Sequence, residues 1–292
     1  MGDVFVGSEA IAAATLNEYE LRRWYRTIFR DVYIRKCDEP SLDDRILAAW
    51  LWSRRRAVIA GVAASALHGA QWVGADTAIE LASKSARPQR GLIVRNETLG
   101  ADEVTAIRRL PVTSVARTAF DLGRRSPASG WCPQPRGQAL ARLDSLMHAT
   151  PFSFEDVAVL EKRHRGARGL RRLKDVLPLV DGGAASPRES WLRLLLIDAG
   201  LPTPTTQIPV NDGWRLAGVL DMGWEDYMVA VEYDGDQHRT DRRQFVRDIE
   251  RLAKMQDQGW IIIRVVAEHR PDDIIRRVNQ ALMRRGYRRG RR

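Results

Sequence analysis

The sequence predicts an α/β protein, α+β overall, assembled from more than one unit. Three observations near the C-terminal end carry that expectation. Residues 229–234 alternate, with Val229, Val231 and Tyr233 on one face and Ala230, Glu232 and Asp234 on the other, the period of a strand. Residues 242–258 place Phe245, Ile249, Leu252 and Ala253 at helical spacing, with Gly259 as the stop. Residues 260–266 are apolar without alternation, as in a strand covered on both faces. Strand, helix, strand implies a right-handed crossover and parallel pairing, and so a mixed sheet flanked by helices.

The chain in order predicts four stretches. Residues 1–40 read as a short helix pair capped by Ser8 and Thr15, the second running from Glu18 to Thr27, followed by a β ribbon around Asp31 to Ile34. A helix pair, a basic helix and a ribbon is the outline of a winged helix-turn-helix. Its Arg22, Arg23, Arg26 and Arg30 are candidates for contact with DNA phosphates. Residues 41–125 read as a small α/β domain. Ser41 caps a helix whose Leu42, Ile46, Leu47, Trp50 and Leu51 form a buried stripe, and a second helix of small residues spans 58–67. His68 is read as a structural cap at its end. Strands follow around 78–82, 91–95 and 110–114, then a helix over 115–122 on which Arg117 and Asp121 are spaced to pair. Residues 126–185 are linker and connecting helices, with a basic hinge that offers Arg168, Arg171 and Arg172 to a nucleic-acid backbone. Residues 186–292 form the last domain, opened by Ser186, Pro187 and Glu189 as a capping box with proline at the first helical position, and closed by a basic tail.

Charge narrows the partners. The 292 residues carry a formal net charge of +10 and a sequence pI near 10.2. Residues 186–283 hold 13 basic against 16 acidic side chains, while residues 284–292 hold six arginines. Basic flanks around an acidic patch suit a protein that grips phosphates beside a metal site. No apolar run reaches the length of a membrane span and no signal peptide stands at the start, so the expected location is the cytoplasm and no membrane partner is expected. The two cysteines, Cys37 and Cys132, cannot build a zinc site by themselves.

The chemistry is expected at the acids. Asp221 lies in the apolar run 218–222, and residues 223–226 read as a turn, so the run pairs as a hairpin with residues 229–234 and brings Asp221 beside Glu232. Carboxylates gathered on half-buried strands need a raised pKa or a cation, and a hard divalent ion, Mg²⁺ or Mn²⁺, answers that need. Glu189 is either the capping-box acid alone or a third acid turned toward the other two.

The order of short motifs is familiar. Ser186-Pro187-x-Glu189, Gly200-Leu201-Pro202, Asp221, the stretch 231–235 with His238, Asp248 with Arg251, Gly259-Trp260 and Ile263-Arg264-Val265 resemble the DUF559 group. That group comprises relatives of the very-short-patch-repair endonuclease in the PD-(D/E)XK nuclease superfamily. Residues 1–125 resemble the AbiEi-type antitoxin family, through Val32-Tyr33, residues 64–69 and the run from Pro111 to Leu122. The first resemblance implies a restriction-endonuclease-like sheet and a metal-dependent DNA endonuclease. In it Asp221 is the metal-binding aspartate of the second core strand, Glu232 the acid of the next strand and Glu189 the helical acid. The usual lysine position is Asp234, and His238 or Gln237 is left to take a proton or orient water. The zinc cysteines of the repair endonucleases are missing. The second resemblance implies the alternative, a DNA-binding regulator of type IV antitoxin kind with an inactive nuclease-like domain, and a cognate toxin protein as partner.

Overall fold

A computed structural model describes residues 3–84, 88–125, 134–235 and 242–288. The class is mixed α and β, with three sheets and flanking helices, as the sequence predicts. In chain order the first part runs Phe5–Val6 (β1), Gly7–Ala12 (α1), Glu18–Trp24 (α2), Tyr25–Phe29 (β2), Val32–Arg35 (β3), Leu42–Trp52 (α3), Val58–Ala60 (β4), Gly61–Leu67 (α4), Ile79–Ala82 (β5), Leu92–Arg95 (β6), Val104–Ile107 (β7), Leu110–Thr113 (β8) and Val115–Arg125 (α5). The remainder runs Pro135–Ala149 (α6), Phe154–Arg163 (α7), Leu170–Val176 (α8), Pro187–Asp198 (α9), Thr205–Asp212 (β9), Arg215–Trp224 (β10), Val229–Tyr233 (β11), Arg242–Asp257 (α10), Ile261–Val265 (β12) and Pro271–Arg284 (α11). No helix among the described residues is long and apolar enough to cross a membrane.

The chain divides into two compact units, residues 1–126 with 149–177, and residues 127–148 with 178–292. The stretches 1–40 and 41–125 fall in one unit, and the connecting helices of 126–185 are shared between the two. In the first unit, β1, β3 and β2 form an antiparallel sheet, and β6-β5-β4-β8-β7 a mixed one. Phe29, Val32, Ile46, Ile59, Leu81 and Val112 share one core. Several local expectations need correction. The N-cap of α2 is Asn17, whose side chain and that of Glu20 close a capping box. The helix expected to reach Thr27 ends at Trp24, because Tyr25, Arg26, Thr27 and Phe29 pair with β3. Ser8 lies inside α1 and bonds Asp31 instead of capping. Residues 58–60 form a strand between β5 and β8 where a helix was expected. Ser41 caps α3 as expected, in a capping box with Asp44, and His68 Nε2 lies 2.8 Å from the Thr113 carbonyl.

The second unit has the hairpin and the parallel crossover that the sequence predicts, with an edge strand, β9, beyond that expectation. Its sheet runs β12-β11-β10-β9. Neighbours β9, β10 and β11 pair antiparallel, and β11 pairs parallel with β12 across α10. Met222, Val229, Val231 and Val265 pack with Leu192, Ile274 and Val278 in one core, while Ala230, Leu220 and Ile208 pack with Met255 in a second. On α10 the buried stripe includes Leu252 and Met255; Ala253, expected in the stripe, is exposed, and the side chains of Phe245 and Ile249 lie outside the described residues. Gly259, at φ 93°, ends the helix in the left-handed region where glycine carries no Cβ penalty.

Candidate active site

The acids meet on the two central strands. Strand β10 pairs with β11 through Met222–Val231, Gly223–Ala230 and Trp224–Val229. One step further along that register sets Asp221 opposite Glu232. The hairpin is as predicted, but its turn lies two residues later, at Glu225–Tyr227 with Met228 at φ 49°. Gly223 lies inside the strand, opposite Ala230, and a Cβ there would come within 2.5 Å of the Val229 carbonyl oxygen, which explains the glycine. Asp221 Oδ2 accepts the Tyr233 backbone N–H at 2.9 Å, which ties the first acid to the strand of the second.

Glu232 is buried and doubly held. Arg251 donates from Nη1 to Oε1 at 3.0 Å and from Nη2 to Oε2 at 3.2 Å. The same Nη1 donates to the Val219 carbonyl at 3.0 Å. Burial drives the Glu232 carboxyl above the usual range, the Arg251 cation works against that, and Asp221 adds to it. Asp234 is held by Arg264 of β12. It follows the end of β11, with its N–H donating to the Val265 carbonyl at 2.8 Å.

Glu189 serves two roles at once. Ser186 Oγ accepts the Glu189 N–H at 3.2 Å, so the serine caps α9 with Pro187 in the first turn. The Glu189 carboxylate reaches back to the N–H of Ala185, one residue before the expected capping-box partner, at 2.9 Å. It is also buried. Burial raises its pKa most, and the negative charge of Glu232 raises it further, so the helical acid and the strand acid lie within electrostatic reach. Thus Asp221 acts on Glu232 and Glu232 on Glu189. Among the described residues no three such groups close tightly enough to form a coordination sphere. The donor set is carboxylate oxygen throughout, which fits Mg²⁺ or Mn²⁺ and not a thiophilic metal.

Other predicted residues are placed as follows. Gln237 and His238 lie outside the described residues. Arg22 and Arg23 are on α2, the first 3.0 Å from Glu18, the second over the rings of Tyr19 and Trp24. Arg26 is on β2, not on a helix, and pairs with Glu39 at 3.0 Å. Arg30 stands in the turn between β2 and β3, and Arg171 and Arg172 are on α8, just after Arg168. Two functional contacts carry no sequence-based role: Arg251 on Glu232 and Arg264 on Asp234. The signal for the first was available, since an arginine one turn before Met255 sits in the face of α10 that meets the sheet.

Fold and site together define a two-unit α+β protein whose second unit gathers acids on the central strands of a mixed sheet. Two relatives from Mycobacterium tuberculosis, uncharacterized protein Rv2248 of strain ATCC 25618 / H37Rv and uncharacterized protein MT2308 of strain CDC 1551 / Oshkosh, are each 31% identical over 254 residues, spanning 85% of this chain and 86% of the relative. The chain belongs to the family of these mycobacterial proteins. No family model and no solved structure matches it.

Proposed function

We propose that this protein is a metal-dependent DNA endonuclease that hydrolyses phosphodiester bonds, and that its first unit brings it to DNA. The observation that carries the reading is the strand register that sets Asp221 opposite Glu232, with Glu189 of the flanking helix within electrostatic reach of Glu232. These acids would hold Mg²⁺ or Mn²⁺. A divalent ion supplies charge at the scissile phosphate and lowers the pKa of a bound water. The chain's own residues do the rest. The Tyr233 N–H fixes the Asp221 carboxylate, Arg251 favours the charged form of Glu232, and Arg264 offsets Asp234. In this reading His238 takes the proton from water or orients that water, and Gln237 can only orient it. The expected location is the cytoplasm.

The test is cleavage of supercoiled plasmid with Mg²⁺ or Mn²⁺. Wild type should nick or linearise it, and Asp221→Ala and Glu232→Ala should each lose at least about a hundredfold in rate, since each removes a ligand from the ion that carries the developing charge. Equal rates in all three would trace cleavage to a contaminant. A second reading rests on one observation: every acid of the strand pair already has a partner within the protein. In that reading the unit is a scaffold, the protein is a DNA-binding regulator of type IV antitoxin kind with a toxin protein as partner, and Asp221→Ala leaves operator binding intact.

Both readings need DNA contact, and the first unit offers a place for it. A cleft of about 1050 Å³ is lined by Arg30, Arg54, Arg56 and Trp52. Its acids are already engaged, Glu9 by Arg55 at 2.6 and 2.7 Å and Asp31 by the N–H of Ser8 at 2.9 Å. Arg54 sits at φ 57°, so Arg54→Asn keeps a backbone that asparagine tolerates while removing charge. Together with Arg56→Gln it should lower the slope of log affinity for duplex DNA against log salt by about 2. An unchanged slope in a titration followed by fluorescence anisotropy would remove the cleft from the interface.

A further inference from the structure

We infer that Arg251 is the fixed cation of the acid site and a positioning residue for Glu232, filling from α10 the place that a lysine at position 234 would fill. The inference rests on the nuclease reading and deepens it. Position 234 is an aspartate paired with Arg264; the Arg264 charge also acts on Glu232, but the cation hydrogen-bonded to Glu232 is Arg251. It donates with both arms, at 3.0 and 3.2 Å.

The guanidinium is seated by β10 as well as by the acid it meets. Its Nη1 is shared with the Val219 carbonyl, a neutral acceptor that holds it whether or not Glu232 is engaged elsewhere. Its stem runs over Gly218, where a Cβ would come within 3.0 Å of Arg251 Cγ and 3.1 Å of Cδ, and within 2.2 Å of Met255 Cε. The missing side chain at Gly218 therefore makes room for the Arg251 stem beside the Met255 methyl. A forked donor uses one lone pair on each Glu232 oxygen and leaves the others for a cation. The charges then balance. Asp221, Glu189 and Glu232 with Arg251 leave two negative charges, which one divalent ion cancels, so that a phosphodiester does not approach a bare acidic cluster.

The test reads metal binding and rate separately, on the full chain. Calorimetric titration with Mn²⁺ alone should show Arg251→Gln binding about tenfold tighter than wild type, because a fixed positive charge beside the ligands is gone. Cleavage at saturating Mn²⁺ should meanwhile fall about a hundredfold, because Glu232 is no longer oriented. Arg251→Lys keeps the charge, so its Mn²⁺ affinity should stay near wild type while part of the rate returns. A purely structural arginine would weaken metal binding and rate together. Unchanged or weaker Mn²⁺ binding in Arg251→Gln, with native thermal stability, overturns the inference and leaves the nuclease reading standing. A wild type with no Mn²⁺ site that Glu232→Gln abolishes overturns both.

Discussion

Replacing Arg117 by alanine should cost the first unit about 3–5 kcal/mol, a large share of the roughly 5–15 kcal/mol that holds an ordinary domain folded. The arginine is 1% exposed and lies at the centre of a buried ionic cluster. Its Nε donates to Asp121 at 3.0 Å, and its two terminal nitrogens donate to Glu103 and Glu97. Arg124 holds the other Asp121 oxygen at 2.8 Å and Glu97 at 2.9 Å. Burial alone would raise the Glu103 carboxyl; Arg163, His164 and Arg117 together outweigh it and hold the group below its ordinary value. Asp121, more deeply enclosed, is pushed up by burial despite Arg117 and Arg124. Alanine would leave the two buried acids, Glu103 and Asp121, short of their shared counterion. That is the costly half of a buried ion pair, since the lone charge keeps its desolvation penalty and loses its compensation. Urea denaturation followed by tryptophan fluorescence and circular dichroism checks the loss. A change below about 1 kcal/mol would mean that Arg163 and His164 on Glu103, and Arg124 on Asp121, compensate these acids without Arg117.

That cluster also marks how far the sequence reaches. Arg117 and Asp121 sit four apart on one helix, so their pairing follows from spacing alone. Glu97, Glu103 and His164 join them from 20, 14 and 47 residues away, and no local period reports such a meeting. The second unit divides in the same way. Asp221 and Glu232 were readable because a hairpin and a parallel crossover leave little freedom of register. The α9 cap was readable because Ser186, Pro187 and Glu189 are consecutive enough to name each other's partners. Arg251 was not assigned a role, because its partners are a carbonyl and a carboxylate on two strands, and its seat is an absent side chain at Gly218. Residues 25–27 and 58–60 were expected in helices by continuation, although Tyr25, Thr27, Val58 and Ile59 favour strands, and neighbouring strands receive them.

Asp144 should make the second unit less stable as pH rises from about 4 to about 6, and removing its ion pair as a pair should abolish that slope. The carboxylate is fully buried on α6, accepting from Arg193 Nη2 at 2.8 Å and from the Asp181 N–H at 2.9 Å. Burial lifts its pKa from the ordinary 3.8 to about 6, with the attraction of Arg193 opposing. An acid with a raised folded pKa binds its proton more tightly folded than unfolded. Its contribution is therefore complete below the ordinary value and is lost as pH climbs through about 6. Two units of pKa correspond to roughly 3 kcal/mol. Arg193 is also 2% exposed, and its Nε has no hydrogen-bond partner among the described residues, so the guanidinium is not fully compensated. Asp144→Ala alone strands the buried guanidinium and should cost about 3–5 kcal/mol. Asp144→Leu with Arg193→Met removes both desolvation penalties and should be neutral or stabilising by about 1–4 kcal/mol at pH 7. Denaturation midpoints of wild type and the double variant, compared at intervals from pH 4 to pH 7, separate this pair from surface carboxylates common to both. Parallel curves would show that the Asp144 proton is not released in that window, and that Arg193 keeps the carboxylate charged throughout.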